Sequence, residues 1–301
     1  MRIAITGATG LVGSYLSEYF RNKKDEVLEI SRGKKLGSKQ SLMLRWDPSV
    51  GDIESGQLEG CDVVIHLAGA SISSRWEPKY KTILRSSRID STRFLSRTIA
   101  ALKQKPKLLI SASAIGYYGN RPSDQSVTES DSNGNDFLAK LCHDWEKETV
   151  PAQEAGIRVV HLRTGVVLAK NGGAIAKMLP IFQLGLGGVL GNGRQMMSWV
   201  ALGEIPYIIE HIMRTTQLTG PINIVSPKPV SNQEFTKVLG DVIRRPTILP
   251  VPSFGIELLF GEMGRTLLLE GLGVVPQKLL QSGYKFRYDD LKLALTSVLK
   301  P

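Results

Sequence analysis

The sequence has few of the features that mark secreted, membrane-spanning or metal-binding proteins. Its 301 residues include only two cysteines, Cys61 and Cys142, too few for a disulfide framework and without metal-ligand spacing. No uncharged apolar segment reaches the roughly 20 residues that a membrane helix requires. The apolar run after Arg2 contains glycines and continues into Glu18, which is atypical of a signal peptide. We therefore expect a cytoplasmic protein with no membrane contact and no bound metal.

The chain also lacks a concentrated basic segment, although its formal net charge is +10. The lysines and arginines are spread over short stretches such as SRGKKLGSK, KQKPK and IRRP. Acids interrupt these stretches, and no interleaved aromatics of a nucleic-acid-binding motif accompany them. A basic surface that attracts small anionic molecules is the simpler interpretation. Nucleic acid is therefore the least favoured partner.

Apolar runs typical of buried strands recur through the first 165 residues and alternate with helical stretches. Strands of this kind predict a parallel sheet that helices cover on both faces. The helical stretches are LVGSYLSEYFRN, residues 78–103, and a segment from 136 to about Gly156 with Asn135 or Asp136 as its cap. The predicted strands are RIAIT (2–6), EVLEIS (26–31), LMLRW (42–46), CDVVIHLAG (61–69), KLLISAS (107–113) and IRVVHLRTG (157–165).

The sequence changes in character after about residue 165, where glycine becomes frequent and strand patterns become rare. PINIVS (221–226) is one more predicted strand, which would return to the sheet. A serine-capped helix, SNQEFTKVLGDVI, a helix near 254–270 and a terminal helix after YKFRYDD follow. The prediction is an α/β fold with a doubly wound parallel sheet over 1–165. Residues 166–301 would form a smaller, mostly helical lobe on the substrate side, including the tail 250–299.

A glycine-rich turn joins the first predicted strand directly to the first predicted helix. In TGATGLVG, Gly7 permits a tight turn, Gly10 lets a pyrophosphate approach the backbone, and Gly13 allows close packing of helix on strand. The helix N-terminus then offers free N–H groups to the phosphates. This arrangement predicts a dinucleotide site in a Rossmann domain. Three further residues of the turn are predicted to contact the dinucleotide: Thr9, Leu11 and Val12.

The end of the second strand indicates which dinucleotide is bound. An acid here would accept a hydrogen bond from the ribose 2′-hydroxyl, but the chain has Ser31 and Arg32, followed by Lys34 and Lys35. A guanidinium offers a planar fork of donors that suits a 2′-phosphate. NADP(H) is therefore the predicted cofactor. The alternative is that Arg32 is a solvated loop charge.

Several of these stretches resemble the extended short-chain dehydrogenase/reductase superfamily, which includes nucleotide-sugar epimerases. TGATGLVG is similar to its glycine motif, DVVIHLAG to a later strand, and LLISASAIGYYG to the strand that bears its serine. HLAGASISSRW, DFLAKLCHDWE, GNGRQMMSW and the tail from PVPSFGIELLFGEMG to KFRYDDLKLAL resemble an atypical subgroup. Members of that subgroup are usually described as epimerase-family proteins of unknown substrate.

The resemblance implies roles for further residues. Asp47 would contact adenine, and Leu67, Ala68 and Gly69 would lie beneath the cofactor, where Arg163 is also expected to bind. His66 is favoured as a hydrogen-bonded core histidine over an acid–base group. The residues predicted to act in catalysis are Ser113, at the position of the superfamily's serine, and Tyr117, which in the alternative reading only packs under the cofactor.

One expected pair is absent from NDFLAKLCHDWEKE, residues 135–148. The superfamily commonly carries a tyrosine and a lysine four residues apart on this helix, and the lysine helps to lower the pKa of the phenol. Aligned on Trp145 and Glu146, the helix has Leu138 at the tyrosine position and Cys142 at the lysine position. Aligned instead on Lys140, it has Asp136 at the tyrosine position. Neither alignment restores the pair.

We therefore predict that residues 135–148 serve mainly as packing. Phe137, Leu138, Leu141 and Trp145 recur at helical spacing, as a core-facing stripe does. Cys142, buried beside them, would have a raised pKa, and Lys140 would be solvated. Any proton transfer would then fall to the segment from Ser113 to Tyr118.

A second departure lies near residue 197. Superfamily epimerases often have an arginine at this position that binds the substrate diphosphate, whereas this chain has Met197. Ala201 likewise replaces a histidine that is common in the superfamily. Arg194 and Gln195 remain nearby.

The leading functional prediction is an NADP(H)-dependent oxidoreductase or epimerase of a small unknown substrate, with a homodimer as its assembly. The alternative is a non-enzymatic NADP(H)-dependent sensor or scaffold.

Overall fold

In the computed structural model, the described residues are 1–32, 42–122 and 124–299. The strands are β1 (Arg2–Thr6), β2 (Glu26–Ser31), β3 (Leu42–Asp47), β4 (Asp52–Ile53), β5 (Val63–His66), β6 (Leu108–Ala114), β7 (Ser126–Val127), β8 (Arg158–Thr164), β9 (Val166–Leu168), β10 (Met196–Met197), β11 (Trp199–Ala201), β12 (Gly220–Ile224), β13 (Val230–Ser231) and β14 (Gly273–Val274). The helices are α1 (Leu11–Asn22), α2 (Pro78–Ala100), α3 (Phe137–Lys147), α4 (Val150–Glu154), α5 (Gly173–Gln183), α6 (Ile205–Arg214), α7 (Asn232–Ile243), α8 (Ser253–Gly264), α9 (Gln277–Gln281) and α10 (Leu291–Leu299).

Eight strands form the central sheet in the order β12-β8-β6-β5-β1-β2-β3-β4. All neighbours run parallel except β3 and β4, which pair antiparallel. Successive residues of β1 point to opposite faces. Ile3 and Ile5 pack in one cluster with side chains of α1, α6 and α9. Ala4 packs in another with side chains of α2 and α4. The predicted doubly wound α/β fold is confirmed.

The helix predicted from 136 to about 156 is two helices, α3 and α4. Asp136 is the cap of α3, and its carboxylate accepts the N–H of Ala139 at 2.9 Å. The break follows from Pro151 in the first turn of α4, because proline has no N–H to continue the hydrogen-bond ladder of α3. Gly156, with φ +83°, follows α4 and allows the turn into β8.

The region after residue 165 has a core of its own. Ile175, Trp199, Phe235, Leu239 and Leu295 are buried together there. The region is mostly helical, as predicted, with two short strand pairs, β10–β13 and β11–β9, that the sequence did not suggest. The helix predicted near 254–270 is α8, followed by a π-helical turn, Arg265–Leu269. The division of the chain at residue 165 stays a prediction.

The described helices include none that is long and apolar enough to cross a membrane.

Candidate functional site

The carboxyl ends of the central strands carry a layer of buried polar side chains. In strand register, Thr6 lies beside His66, His66 beside Ser111, and Ser111 beside His161. A second row follows two residues later, where Ser113 of β6, Arg163 of β8 and Asn223 of β12 are adjacent. Because ligands of such sheets collect outside the strand ends, these rows mark the floor of the candidate site.

The glycine loop follows β1 at this same edge. Gly7 has φ +68°, and an added Cβ would lie 2.8 Å from the carbonyl carbon of Leu67. A Cβ at Gly13 would lie only 2.2 Å from the carbonyl oxygen of Gly7, whereas at Gly10 the nearest atom would be 3.2 Å away. Gly7 and Gly13 are therefore required by packing, while Gly10 is exposed. Gly10 also precedes α1 without a capping side chain, which leaves N–H groups for a ligand.

A chain of hydrogen bonds fixes the segment that follows β5. Thr6 Oγ1 accepts the N–H groups of Leu67 (3.1 Å) and Ala68 (3.2 Å), so its hydrogen is donated to Nδ1 of His66 (2.7 Å). Nε2 of His66 then donates to Thr92 (2.9 Å), which also accepts the indole N–H of Trp145 (2.8 Å). Burial lowers the pKa of His66 to about 4. His66 is thus a neutral core histidine, as predicted.

The residues predicted to select the cofactor lie at the ends of β2 and β3. Ser31 is half-buried and Arg32 is exposed, while Lys34 and Lys35 fall outside the described residues. The carboxylate of Asp47 accepts hydrogen bonds from the hydroxyl (2.6 Å) and the N–H (3.0 Å) of Ser49. These bonds lower the pKa of Asp47, and the charges of Arg32 and Arg45 lower it further.

Ser113 takes part in a cluster that the sequence did not reveal. Its hydroxyl donates to Glu146 of α3 at 2.6 Å. The same carboxylate accepts two hydrogen bonds from Arg163, each 2.9 Å long. Burial alone would raise the pKa of Glu146, but the hydrogen bonds and charge of Arg163 hold it below its ordinary value. A buried carboxylate is therefore kept ionised next to the predicted catalytic serine.

The two tyrosines after β6 have different surroundings. Tyr118 is fully buried, accepts an N–H of Arg163 (3.0 Å) and donates to the side chain of Asn223 (2.7 Å). Burial raises the pKa of Tyr118 to about 12, which makes it a poor proton donor. Tyr117 is half-buried, and its ring centroid lies 3.4 Å from the guanidinium carbon of Arg163. Among the described residues its hydroxyl has no hydrogen-bond partner, so it is the tyrosine with a free proton.

Residues 3–224 match the NAD dependent epimerase/dehydratase family, and residues 251–298 match a domain of unknown function, DUF1731. The chain belongs to the NAD-dependent epimerase/dehydratase family. An epimerase family protein from Mycobacterium bovis is 41% identical over 294 residues, which are 97% of this chain and 96% of that protein.

Two solved structures of relatives share the fold over almost the whole chain. The human epimerase family protein SDR39U1 (isoform 2), crystallised with NADPH, is 30% identical, with a TM-score of 0.89 and 99% of each chain covered. A nucleoside-diphosphate sugar epimerase from Corynebacterium glutamicum is 34% identical with a TM-score of 0.79. There the match covers 99% of this chain but 58% of the other. The resemblance inferred from the sequence is thus confirmed, including its C-terminal tail.

Helix α3 departs from the expected family pattern in the way the sequence indicated, with one exception. Leu141, Cys142 and Trp145 are buried and Lys140 is exposed. Burial raises the pKa of the Cys142 thiol to about 12, so both predictions for these side chains are confirmed. The prediction that the helix mainly packs was incomplete, because Glu146 contacts Ser113 and Arg163. The sequence signal for this role is an acid, Glu146, directly after the buried Trp145.

A polar cleft of about 240 Å³ adjoins the tyrosines and the lobe after residue 165. Arg121 donates to the carbonyl groups of Tyr118 (3.1 Å) and Ser132 (3.3 Å), while Arg194 is exposed. Burial raises the pKa of Glu270. The residues that line the cleft are Asn120, Arg121, Asn192, Arg194, Gln195, Leu269, Glu270 and Gly271.

Proposed function

We propose that the protein binds NADP(H) across the carboxyl ends of β2, β1, β5 and β6. The adenosine half would lie near β2 and β3, with Arg32 on the 2′-phosphate and Asp47 beside the adenine. The pyrophosphate would meet the exposed Gly10 and the N-terminus of α1, with Thr9, Leu11 and Val12 around it. The human relative that was crystallised with NADPH supports this cofactor.

The nicotinamide half would extend over Leu67, Ala68 and Gly69 toward Ser113. This direction follows from the strand order, in which β5 and β6 continue from β1 away from β2. The guanidinium of Arg163 is engaged by Glu146 and Tyr118. We propose that Arg163 acts through these partners, beneath the cofactor, rather than as a direct ligand.

We propose further that the protein is an oxidoreductase or epimerase that acts on a small hydroxyl- or carbonyl-bearing substrate. The observation that carries this proposal is the cluster of Ser113, Glu146, Arg163 and Tyr117 at the strand ends. Bound NADP(H) would supply or accept the hydride. Because the Ser113 hydrogen is donated to Glu146, the lone pairs of its oxygen are left to accept a hydrogen bond from a substrate hydroxyl. The Tyr117 phenol, with a cation on its ring face, would exchange the proton at the substrate oxygen.

The test is NADPH oxidation with a panel of aldehydes and ketones, and NADP⁺ reduction with the matching alcohols. Once a turned-over compound is found, Ser113→Ala and Tyr117→Phe should each lower kcat by about 10²-fold or more. Lys140→Ala and Cys142→Ala are the controls on α3 and should leave kcat unchanged. The opposite pattern would place the proton-transfer group on α3 and reject this assignment.

A second function, that of an NADP(H)-dependent sensor or scaffold without catalysis, is favoured by one observation. At the position expected for the family's lysine stands Cys142, whose buried thiol is not a cation. NADPH binding without turnover of any compound in the panel would support this alternative over catalysis.

We also propose where a small-molecule substrate enters the site. The guanidinium groups of Arg121 and Arg194 make the cleft suited to an anionic small molecule, and we propose this cleft as the substrate entrance.

We propose a homodimer because Phe254, Leu258 and Leu259 of α8 expose most of their apolar side chains. Light scattering should give the mass of two chains, and the mass of one chain would contradict it.

A further inference from the structure

Helix α2 carries four arginines, of which Arg85, Arg88 and Arg93 face different partners. Arg85 pairs with Asp144 at 3.0 Å, and Arg93 pairs with Glu148 at 2.6 Å. Arg88, between them, has no carboxylate within 4.0 Å among the described residues. It donates only to the carbonyl groups of Ala70 (3.0 Å) and Leu84 (3.3 Å) and to a serine hydroxyl (3.5 Å). A guanidinium has five N–H donors, so donors of Arg88 remain for a ligand.

The surroundings of Arg88 make an uncompensated charge costly. Its guanidinium lies over the ring of Trp145, 5.2 Å from the centroid. Burial lowers the pKa of Arg88, and only the Cys142 thiol and the Tyr80 phenol act in the opposite direction. Burial raises the pKa of the Cys142 thiol to about 12, so this thiol is not an anion at neutral pH. A half-buried cation without an anionic partner is unfavourable unless a ligand supplies one.

The position of Arg88 relative to the strand ends indicates which ligand this is. A Cβ added at Gly69 would lie 3.4 Å from its guanidinium carbon, so the cation borders the segment after β5. That segment lies between the glycine loop after β1 and Ser113 on β6. Gly69 itself is exposed. A dinucleotide with its pyrophosphate at Gly10 would therefore pass Arg88 with its nicotinamide half and not with its adenosine half.

We propose that Arg88 binds the nicotinamide-ribose half of NADP(H), donating N–H hydrogen bonds to its phosphate or hydroxyl oxygens. It would supply from α2 the cation that α3 lacks at Cys142. This inference rests on the proposed cofactor and adds to it a residue that the sequence did not single out.

The experiment compares two ligands, NADPH and 2′,5′-ADP, which contains the adenosine half with its 2′-phosphate and no nicotinamide. In Arg88→Met the Kd for NADPH should rise about tenfold to a hundredfold, as for a lost charge-assisted hydrogen bond. The Kd for 2′,5′-ADP should not change, which also shows that the variant is folded. Arg88→Lys should lie between the wild type and Arg88→Met, because lysine keeps the charge but not the planar fork.

Arg85→Met is the matched control, since it removes an arginine one turn away on the same helix and should change neither Kd. Equal weakening of both ligands in Arg88→Met, or NADPH binding equal to that of the wild type, would overturn the role of Arg88 while leaving the cofactor proposal intact. A wild-type protein that bound neither ligand would overturn the cofactor proposal and this inference with it.

Discussion

The two ends of the candidate site are built by different means. The nucleotide end depends on backbone, because Gly7 and Gly13 leave no room for a Cβ and Gly10 is exposed. The other end depends on side chains from three separated segments, which bring Ser113, Tyr117, Glu146 and Arg163 together. The side-chain hydrogen bonds at this end join residues that lie 17 to 45 positions apart in the chain. The fold has no room for a Cβ at Gly7 or Gly13, whereas the other end does not tolerate the loss of a charge.

The largest effect that this comparison predicts follows from removing the carboxylate of Glu146. Glu146→Gln would leave Arg163, only 3% exposed, without its counter-charge. Loss of one partner of a buried ion pair typically costs about 3–5 kcal/mol. The free energy of unfolding, measured by urea denaturation, should fall by that amount.

Glu148→Gln is the control for this variant, because Glu148 makes a similar two-bond pair with Arg93 nearer the surface. An exposed pair contributes about 0–1 kcal/mol. If both variants lose the same free energy of unfolding, the pair of Glu146 and Arg163 contributes no more than a surface pair. That result would contradict the contrast between the two ends of the site.

The next largest effect concerns Gly13. A Cβ there would lie 2.2 Å from a backbone oxygen, so helix and loop must move apart in Gly13→Ala. We expect a loss of about 3 kcal/mol in the free energy of unfolding, at the upper end for an overpacked site.

Gly10→Ala is the matched comparison. The nearest atom to its Cβ would be 3.2 Å away, so the fold should lose less than about 1 kcal/mol. Fluorescence titration should nevertheless show much weaker NADPH binding, because the methyl group stands where the pyrophosphate approaches. A Gly10→Ala protein that binds NADPH normally would contradict the proposed phosphate loop.

A smaller effect is expected at the adenosine end. Arg32→Ala should weaken NADPH by about 1.5–3 kcal/mol, the range for hydrogen bonds to a charged group, and should leave NADH unchanged. Competition titrations with the two cofactors measure the difference. Equal losses for both, or a wild-type preference for NADH, would show that Arg32 is a solvated loop charge.

These differences in construction explain what the sequence could and could not predict. The parallel sheet, the glycine turn and the burial of Cys142 depend on local patterns, and each was predicted. The hydrogen bonds between Glu146 and Arg163 depend on how α3 packs against β8, and no local sequence pattern predicts this packing. Residue Arg88 was missed for the same reason, since a single arginine on a helix gives no sign that its acid partner is absent. The helix break before α4 has a local cause, Pro151, so the prediction of one helix from 136 to about 156 was wrong at this point.

The smallest predicted effect tests the hydrogen-bond chain that supports the nucleotide end. His66 has a pKa of about 4 in the folded protein and about 6.5 when unfolded, so between these values only the unfolded state takes up the proton. Stability that is present above pH 6.5 is therefore lost as the pH falls toward 4. Between pH 7.5 and 5.5 the loss from this residue alone is about 1 kcal/mol. Burial lowers the pKa of His161 as well, so the contribution of His66 is isolated by comparing the wild type with His66→Gln in urea at both pH values. The variant should be less stable at pH 7.5 but lose about 1 kcal/mol less on acidification, and parallel losses in the two proteins would show that His66 already carries a proton in the fold.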